Sequence, residues 1–458
     1  MATLTQDHLE HAPRTHGRTD TRINDLIGAR LEALGKKAPL YAVVGLVLCL
    51  AGILFSPQTF FQSYLYAFMF WFGVTIGSTA WLMGHHVAGG GWGFLLRRPL
   101  EAATRVWPLT FALFVPLAIA MFLSMADGHA LGALYHWADP HVVAADPVLQ
   151  KKYAYLNPLG WLVRAGVCFV IWFGLSYLLN TWSREEDVTD SPIPRHKLSM
   201  WSGFGLVIFL ITVTIASVDW VMTIEPHWYS ALWGAIFLVG EGLATLAIMV
   251  VLIYNLMKGT PLFERIETRY FRDIGNLMLA FTIFWAYTNY SQFMIQYSGN
   301  LAEEATWQLH RTTFGWQYFG AVNIVLHFAL PFLFALMSIT KVNMGNLRKL
   351  AMFLIFARFV DLFFYVVPTF RVHPTDGLPF PGATYPFAFL ADLGLPILMG
   401  GLWIWAWSSQ LKKTNAPLVP LYDERISDDV WPLEAAEESV TTVPVIGERG
   451  LKEVKING

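Results

Sequence analysis

Three ionisable side chains, Asp219, Glu225 and His227, fall within nine residues of one connecting stretch, Ser217 to Gly234, bracketed by Trp220, Trp228 and Trp233. The stretch joins the end of one long apolar segment to the start of the next. That places it at an edge of a hydrocarbon layer, where amphipathic rings collect. Carboxylates and an imidazole at one membrane face can form the mouth of a proton path. A wet loop with aromatic anchors accounts for each residue taken singly.

A second group lies where charge is costly. Glu241 falls in the middle of one apolar segment between Gly240 and Gly242, and Arg358 and Asp361 stand three apart on another, sharing a helical face. A charge near the bilayer centre costs about 2.5–3.5 kcal/mol even on the lenient insertion scale, so these residues must face protein or water. Two carboxylates and one guanidinium carry a net charge of minus one if all are ionised, a poor state in low dielectric. One carboxyl is therefore expected to hold a proton, and Glu241, flanked by glycines with no cation on its own helix, is expected to be that one. Such a group can work as a proton relay; its bland counterpart is an ion pair that only fixes helix packing.

Further polar groups sample other depths. Asn289, Gln292 and Gln296 repeat at i, i+3 and i+7, with Tyr290, Ser291 and Tyr297 beside them. A stripe of this kind is as often interhelical glue as a water-lined path. His327 and Asp392 fall in the outer parts of late apolar segments and are expected within reach of the Asp219 cluster. His85 and His86 end an early segment at the opposite face. Only His327 lies well inside a span, and no Cys-x-x-Cys-His occurs, so the spacing argues against a haem of either b or c type on this chain. Cys49 and Cys168 sit far apart inside apolar segments and read as small buried side chains. No metal ligand set is expected, and any redox centre must then belong to a partner.

The elements that position these groups follow from composition. The 458 residues are 55% hydrophobic and 14% charged, with a mean hydropathy of +0.46, which makes the chain a polytopic all-α membrane protein. A net charge of -2 offers no nucleic-acid signal. Ten spans are expected, near 40–56, 63–84, 105–125, 160–180, 200–221, 230–254, 276–297, 319–339, 350–368 and 387–407. With the N-terminus inside, 25 of the 31 lysines and arginines fall in inside segments and 4 in outside loops, which puts both termini in the cytoplasm and Ser217 to Gly234 on the far side.

Residues 1–39 form a polar leader in which Ile23, Leu26, Ile27, Leu31 and Leu34 suggest an interfacial amphipathic helix between Asp20 and Gly35. The first long apolar run begins only near Leu40, so no cleavable signal peptide is expected. Residues 408–458 form an acidic tail. Two outside connections, Ala126 to Leu159 and Thr369 to Pro386, are too long for simple turns and suit docking. Pro116 and Pro331 lie inside spans and predict kinks.

At this point the residues carry a resemblance. Asp219-Trp220 running into Glu225-Pro226-His227-Trp228-Tyr229-Ser230, with Tyr290-Ser291-Gln292-Phe293-Met294 and Tyr297-Ser298-Gly299-Asn300-Leu301, resembles the NrfD and polysulfide-reductase type of quinol-interacting membrane subunit. Within that family it is most similar to the second such subunit (ActF type) of bacterial alternative complex III, a quinol to cytochrome c or oxidase electron-transfer complex. The resemblance spans most of the ten-helix region. It implies two four-helix bundles with flanking helices in a bacterial inner membrane. It also implies a sister NrfD-like membrane subunit, and a periplasmic iron-sulfur subunit and a multihaem cytochrome c subunit docked outside, in contact with membrane lipids. In that family the quinol site with a clear electron acceptor belongs to the sister subunit, so the chain is expected to hold no cofactor itself, with quinol (menaquinol) binding left open. A stand-alone ion or solute transporter is the alternative; it would place a midplane substrate site at broken helices.

Overall fold

A computed structural model of the protein describes residues 21–126, 134–188, 193–260, 263–264, 266–301, 305–371, 387–414, 442–447 and 450–455. Most of the leader, the acidic stretch of the tail and nearly all of the Thr369 to Pro386 connection lie outside the described residues. Among the described residues, nine helices are long and apolar enough to cross a membrane. They are α1 (Thr21–Phe55), α2 (Phe60–Ala88), α4 (Trp107–Ala126), α7 (Pro158–Val188), α8 (Ile193–Trp220), α9 (Trp233–Met257), α12 (Trp316–Leu336), α14 (Met344–Val366) and α15 (Ala388–Lys413). The seventh expected span is also a helix, α10 (Thr268–Gly299), 32 residues long. It keeps the length of a span but not the apolarity, because Arg269, Arg272, Asp273, Asn289, Gln292 and Gln296 dilute it. Shorter helices lie between: α3 (Gly91–Thr104), α5 (Pro140–Ala145), α6 (Pro147–Lys152), α11 (Thr306–Thr312) and α13 (Ser338–Val342).

Helix packing yields two rings of four. In the first, α2 packs on α4 and α8, and α7 on α4 and α8; in the second, α9 packs on α10 and α14, and α12 on α10 and α14. The rings join where α2 meets α9 and α14, and α1 and α15 flank them as a pair against α2. Trp107, Trp172 and Trp220 fill the first ring with Phe72, Phe114 and Phe169, the Trp107 and Trp172 rings stacked at 5.2 Å. Such rings supply apolar volume in preferred geometries without relying on a hydrophobic effect between helices in lipid.

The flanking pair approaches through small residues. A Cβ on Gly45 would stand 2.3 Å from the Leu398 backbone nitrogen, and one on Gly401 would stand 2.5 Å from that of Ala42, so neither position has room for a side chain. Glu32 and Lys412 pair at 3.7 Å at one end of these helices, and the Phe55 and Phe387 rings meet at 4.8 Å at the other. The start of α1 and the end of α15 therefore share a face, here termed the termini side, and Ser217 to Gly234 lies at the opposite, cap side.

The helix expected between Asp20 and Gly35 does not stand apart at an interface. It runs on through Pro39 into the first span as α1, with Ile27 and Leu31 buried. Pro116 leaves α4 unbroken. Pro331 does act: without its N–H the preceding turn widens to a π-turn, Val325–Ala329, closed by Leu330 N–H donating to the Val325 carbonyl. On the cap side, α5 and α6 are capped by Asp139 and Asp146, which accept from His141 N and Val148 N, both at 2.8 Å, so this part of the connection is ordered. In the tail, Thr442–Gly447 and Gly450–Lys455 pair as an antiparallel hairpin.

Candidate functional site

The junction of the two rings holds the charges that composition alone makes costly. Arg358 on α14 donates from Nη2 to Glu241 Oε1 on α9 at 2.8 Å and from Nη1 to Asp361 Oδ2 at 2.5 Å. All three are fully buried. Asp361 also accepts from Trp285 Nε1 on α10 at 3.0 Å and from Asn323 Nδ2 on α12 at 2.9 Å. His327, in the π-turn, stacks on Trp285 at 4.1 Å and brings Nε2 to 3.9 Å from Asp361 Oδ2, beyond hydrogen-bond reach. Three helices of one ring thus meet at Asp361, and the fourth, α9, joins them through Glu241 on the shared Arg358 guanidinium.

Glycines make the space. A Cβ on Gly240 would fall 2.2 Å from Arg358 Nη1, and one on Gly73, across the junction on α2, would fall 1.9 Å from Glu241 Oε2. The glycines flanking Glu241 therefore admit side chains of α14 and α10, while the closest backbone approach is to α2. The cluster is incompletely satisfied: Glu241 Oε2, Arg358 Nε, both ring nitrogens of His327 and Asn323 Oδ1 are buried without a protein partner. Native interiors rarely leave so many polar atoms together without a reason such as water or proton exchange.

A polar run leads from this centre to the cap side. Tyr365, one turn along α14 from Asp361, donates to Asn289 Oδ1 at 2.7 Å, and Asn289 Nδ2 donates to the Trp285 carbonyl at 2.9 Å. One turn further on α10, Gln292 accepts from Ser230 Oγ in the Ser217 to Gly234 stretch. Tyr290, 63% exposed, faces away from this run.

The expected outer cluster does not assemble. Asp219 turns into the first ring, held by Arg164 Nε at 2.6 Å and Nη2 at 3.1 Å. Glu225 turns into the second, where Oε1 accepts from Thr369 Oγ1 at 2.7 Å and Arg311 Nη1 at 3.1 Å and lies 3.0 Å from His310 Nδ1. Burial pushes the Glu225 carboxyl up, but the His310 hydrogen bond, the Arg311 charge and Thr369 together hold it down at about 2. Arg311, lowered by its own burial to about 10 with Glu225 acting the other way, remains a cation at neutral pH. It also caps the end of α14 through the Phe364 carbonyl at 3.1 Å and the Tyr365 carbonyl at 2.5 Å. His227 is exposed and pairs with Asp146 at 2.6 Å. Three residues close in sequence serve three separate contacts because the loop bridges two rings that diverge beneath it.

Other expectations shift as well. Trp220, Trp228 and Trp233 are buried, with Trp228 stacked on Trp307 at 4.3 Å, rather than lying as anchors at the bilayer edge. His327 belongs to the central cluster. Asp392 belongs to neither group: Arg371 grips it through Nη1 at 2.8 Å and Nη2 at 2.9 Å while Ser63 Oγ donates at 2.5 Å, tying α15 to α2. His85 packs against Gly93, where a Cβ would lie 1.9 Å from its Nδ1, and His86 sits beside it with ring centroids 5.8 Å apart. Gly77, Thr245 and Trp81 lie between this pair and Glu241, with Trp81 Nε1 donating to the Gly242 carbonyl at 2.9 Å.

Sequence reading missed Trp285, Asn323, Tyr365, Arg164, His310 and Arg311. A signal existed for the last: the outside loops hold so few basic residues that each needs a reason, and Arg311 and Arg371 both prove to be buried partners of acids. Cys49 and Cys168 are buried and unbridged. No family model and no curated protein matches the chain.

Proposed function

We propose that this chain is a proton-conducting integral membrane subunit of a respiratory quinol-oxidising electron-transfer complex of the NrfD-like kind. In this reading it sits in a bacterial inner membrane beside a sister membrane subunit, with both termini cytoplasmic. Iron-sulfur clusters and c-type haems are carried by partner subunits on the cap side. One observation carries the reading: two carboxylates share one guanidinium at full burial between the rings, with several polar atoms unpartnered around them. Two acids on one base leave a proton that the cluster can hold or release, and a change of charge nearby biases which.

The chain's own residues supply the rest. Asp361 is fixed by Arg358, Trp285 and Asn323 and serves as the anchored acid. Glu241, held at one oxygen only, is the acid free to exchange. Tyr365, Asn289, Gln292 and Ser230 offer hydroxyl and amide groups between the centre and the cap side. The transporter alternative finds less support: α4 is unbroken at Pro116, and the π-turn in α12 places His327 onto the cluster.

The test is Glu241→Gln in the complex purified from its native membrane, read for haem and iron-sulfur absorbance, electron transfer and proton translocation. We expect co-purifying redox subunits and electron transfer near the parent rate, with proton translocation reduced. Full translocation in a well-assembled variant removes Glu241 from the path. A chain that purifies alone, without haem or iron-sulfur absorbance, rejects membership of the complex.

A further inference from the structure

On the termini side, α3 and the facing ends of α7 and α8 carry a dense charge network. Arg97 donates to Glu101 Oε1 at 3.0 Å and to Ser183 Oγ at 2.9 Å and pairs with Glu186. Arg98 donates to Glu101 Oε2 at 2.8 Å and pairs with Asp187. Arg195 reaches Glu186 at 3.2 Å, and Lys197 reaches Glu185 at 3.7 Å. Each of these acids is engaged and each of these four cations has a partner.

Two guanidiniums are left over. Arg105, at the turn between α3 and α4, is half-buried; its Nε and Nη2 are out of contact with solvent and no acceptor serves either. Arg184 on α7 is exposed and stands one turn beyond Asn180, whose Nδ2 donates to Thr104 Oγ1 beside Arg105 at 2.9 Å; among the described residues Arg184 forms no ion pair. Glu101 attracts Arg105, but its two oxygens are already taken by Arg97, Arg98 and Ser183. Burial lowers Arg105 to about 10, against the pull of Glu101, so it is a cation at neutral pH. It also stands two residues before the start of the 20-residue α4, at the positive end of that helix dipole. A buried N–H donor without an acceptor costs about 1–3 kcal/mol, and more when charged, so this pair of arginines calls for an anion.

We propose that Arg105 and Arg184 bind the phosphate group of an anionic phospholipid on the termini side. The surface beneath Arg184 suits a lipid rather than a free phosphate ion. Along α7, Val163, Val167, Val170, Tyr177, Thr181 and Arg184 recur at helical spacing on one exposed stripe, with Val170 73% and Tyr177 72% exposed. An acyl chain can lie along the apolar part of this stripe while its headgroup meets the guanidiniums at the end, the arrangement in which basic residues recognise anionic lipid. Neither arginine belongs to the central cluster, so the assignment stands apart from the proposed proton conduction.

The test uses the full chain, purified in a neutral detergent and offered phosphatidylglycerol, phosphatidylcholine or inorganic phosphate, with retained lipid read by native mass spectrometry and stability by thermal unfolding. The parent should retain phosphatidylglycerol over phosphatidylcholine and melt higher with it. Arg105→Gln should lower that retention about fivefold, the worth of one basic residue at an anionic surface. Arg105→Gln with Arg184→Gln should abolish the preference, and Lys349→Gln, a change at an exposed lysine elsewhere on the chain, should leave it intact. With no protein acceptor to lose, Arg105→Gln should melt no lower than the parent in neutral detergent. The proposal is overturned if the double variant keeps the preference or if Arg105→Gln melts lower without lipid. It is overturned as a lipid site if inorganic phosphate protects as well as phosphatidylglycerol.

Discussion

Gly73→Ala isolates the contact on which the central cluster depends. The added methyl would lie 1.9 Å from Glu241 Oε2 and 2.0 Å from its Cδ. Ordinary contact needs about 3.5 Å, so the carboxylate must retreat by roughly 1.5 Å. Moving α2 away instead would undo its close packing on α9 one turn along, where Gly77 leaves no room for a Cβ beside Thr245 Oγ1, 2.2 Å off. A retreat of that size breaks the 2.8 Å bond from Arg358 Nη2 to Glu241 Oε1. Breaking a buried ion pair on one side costs about 3–5 kcal/mol, because the remaining charge stays desolvated. Thermal unfolding of the purified chain in mild detergent should show that loss directly. The same substitution made in a Glu241→Ala background should cost under about 1 kcal/mol, since the clash is gone, giving a coupling of a few kcal/mol between two residues on different helices. A Gly73→Ala protein as stable as its parent, or one equally destabilised in both backgrounds, would refute the placement of Glu241 against α2.

Three further outcomes follow from the cap-side contacts. Glu225, depressed to about 2 from an ordinary 4.5, contributes stability that is complete above 4.5 and is lost as pH falls toward 2; the shift corresponds to about 3 kcal/mol. Glu225→Gln should therefore flatten the acid limb of a stability profile between about pH 5 and 2, and an unchanged limb would deny the carboxylate this role. Arg164→Gln should destabilise by about 3 kcal/mol in chemical unfolding, because Asp219 is left buried without its cation; a neutral result would mean that Asp219 finds another partner. His227→Gln removes only an exposed pair with Asp146, and its melting temperature should stay within the effect of less than about 1 kcal/mol.

Much of the architecture is legible in the sequence because a bilayer imposes a simple rule: backbone polar groups must be satisfied within each crossing segment. The long apolar runs therefore mark the helices, and α10 departs from the rest in hydropathy for the same reason it matters, the stripe containing Asn289 and Gln292. The central acids were also legible, since Glu241, Arg358 and Asp361 stand where an unpaired charge is untenable. The pairing of Arg358 with Asp361 follows from helical spacing alone. Joining Glu241 to that pair required similar depth, which segment counting supplies roughly.

Tertiary structure decided what depth cannot: which faces meet. Asp219, Glu225 and His227 are neighbours in sequence and strangers in space, because their loop bridges two rings and each side chain follows a different one. His327 joins Asp361, rather than the cap side, because the π-turn before Pro331 sets it onto Trp285. Gly73 gives no sign in sequence that it faces an acid 168 residues away; only the approach of α2 to α9 reveals it. Segment hydropathy is a local property summed along one helix, and it determined the spans and the depths of their charges. Partner identity depends on helix rotation and on small residues that let two backbones close, which exist only once the rings are packed.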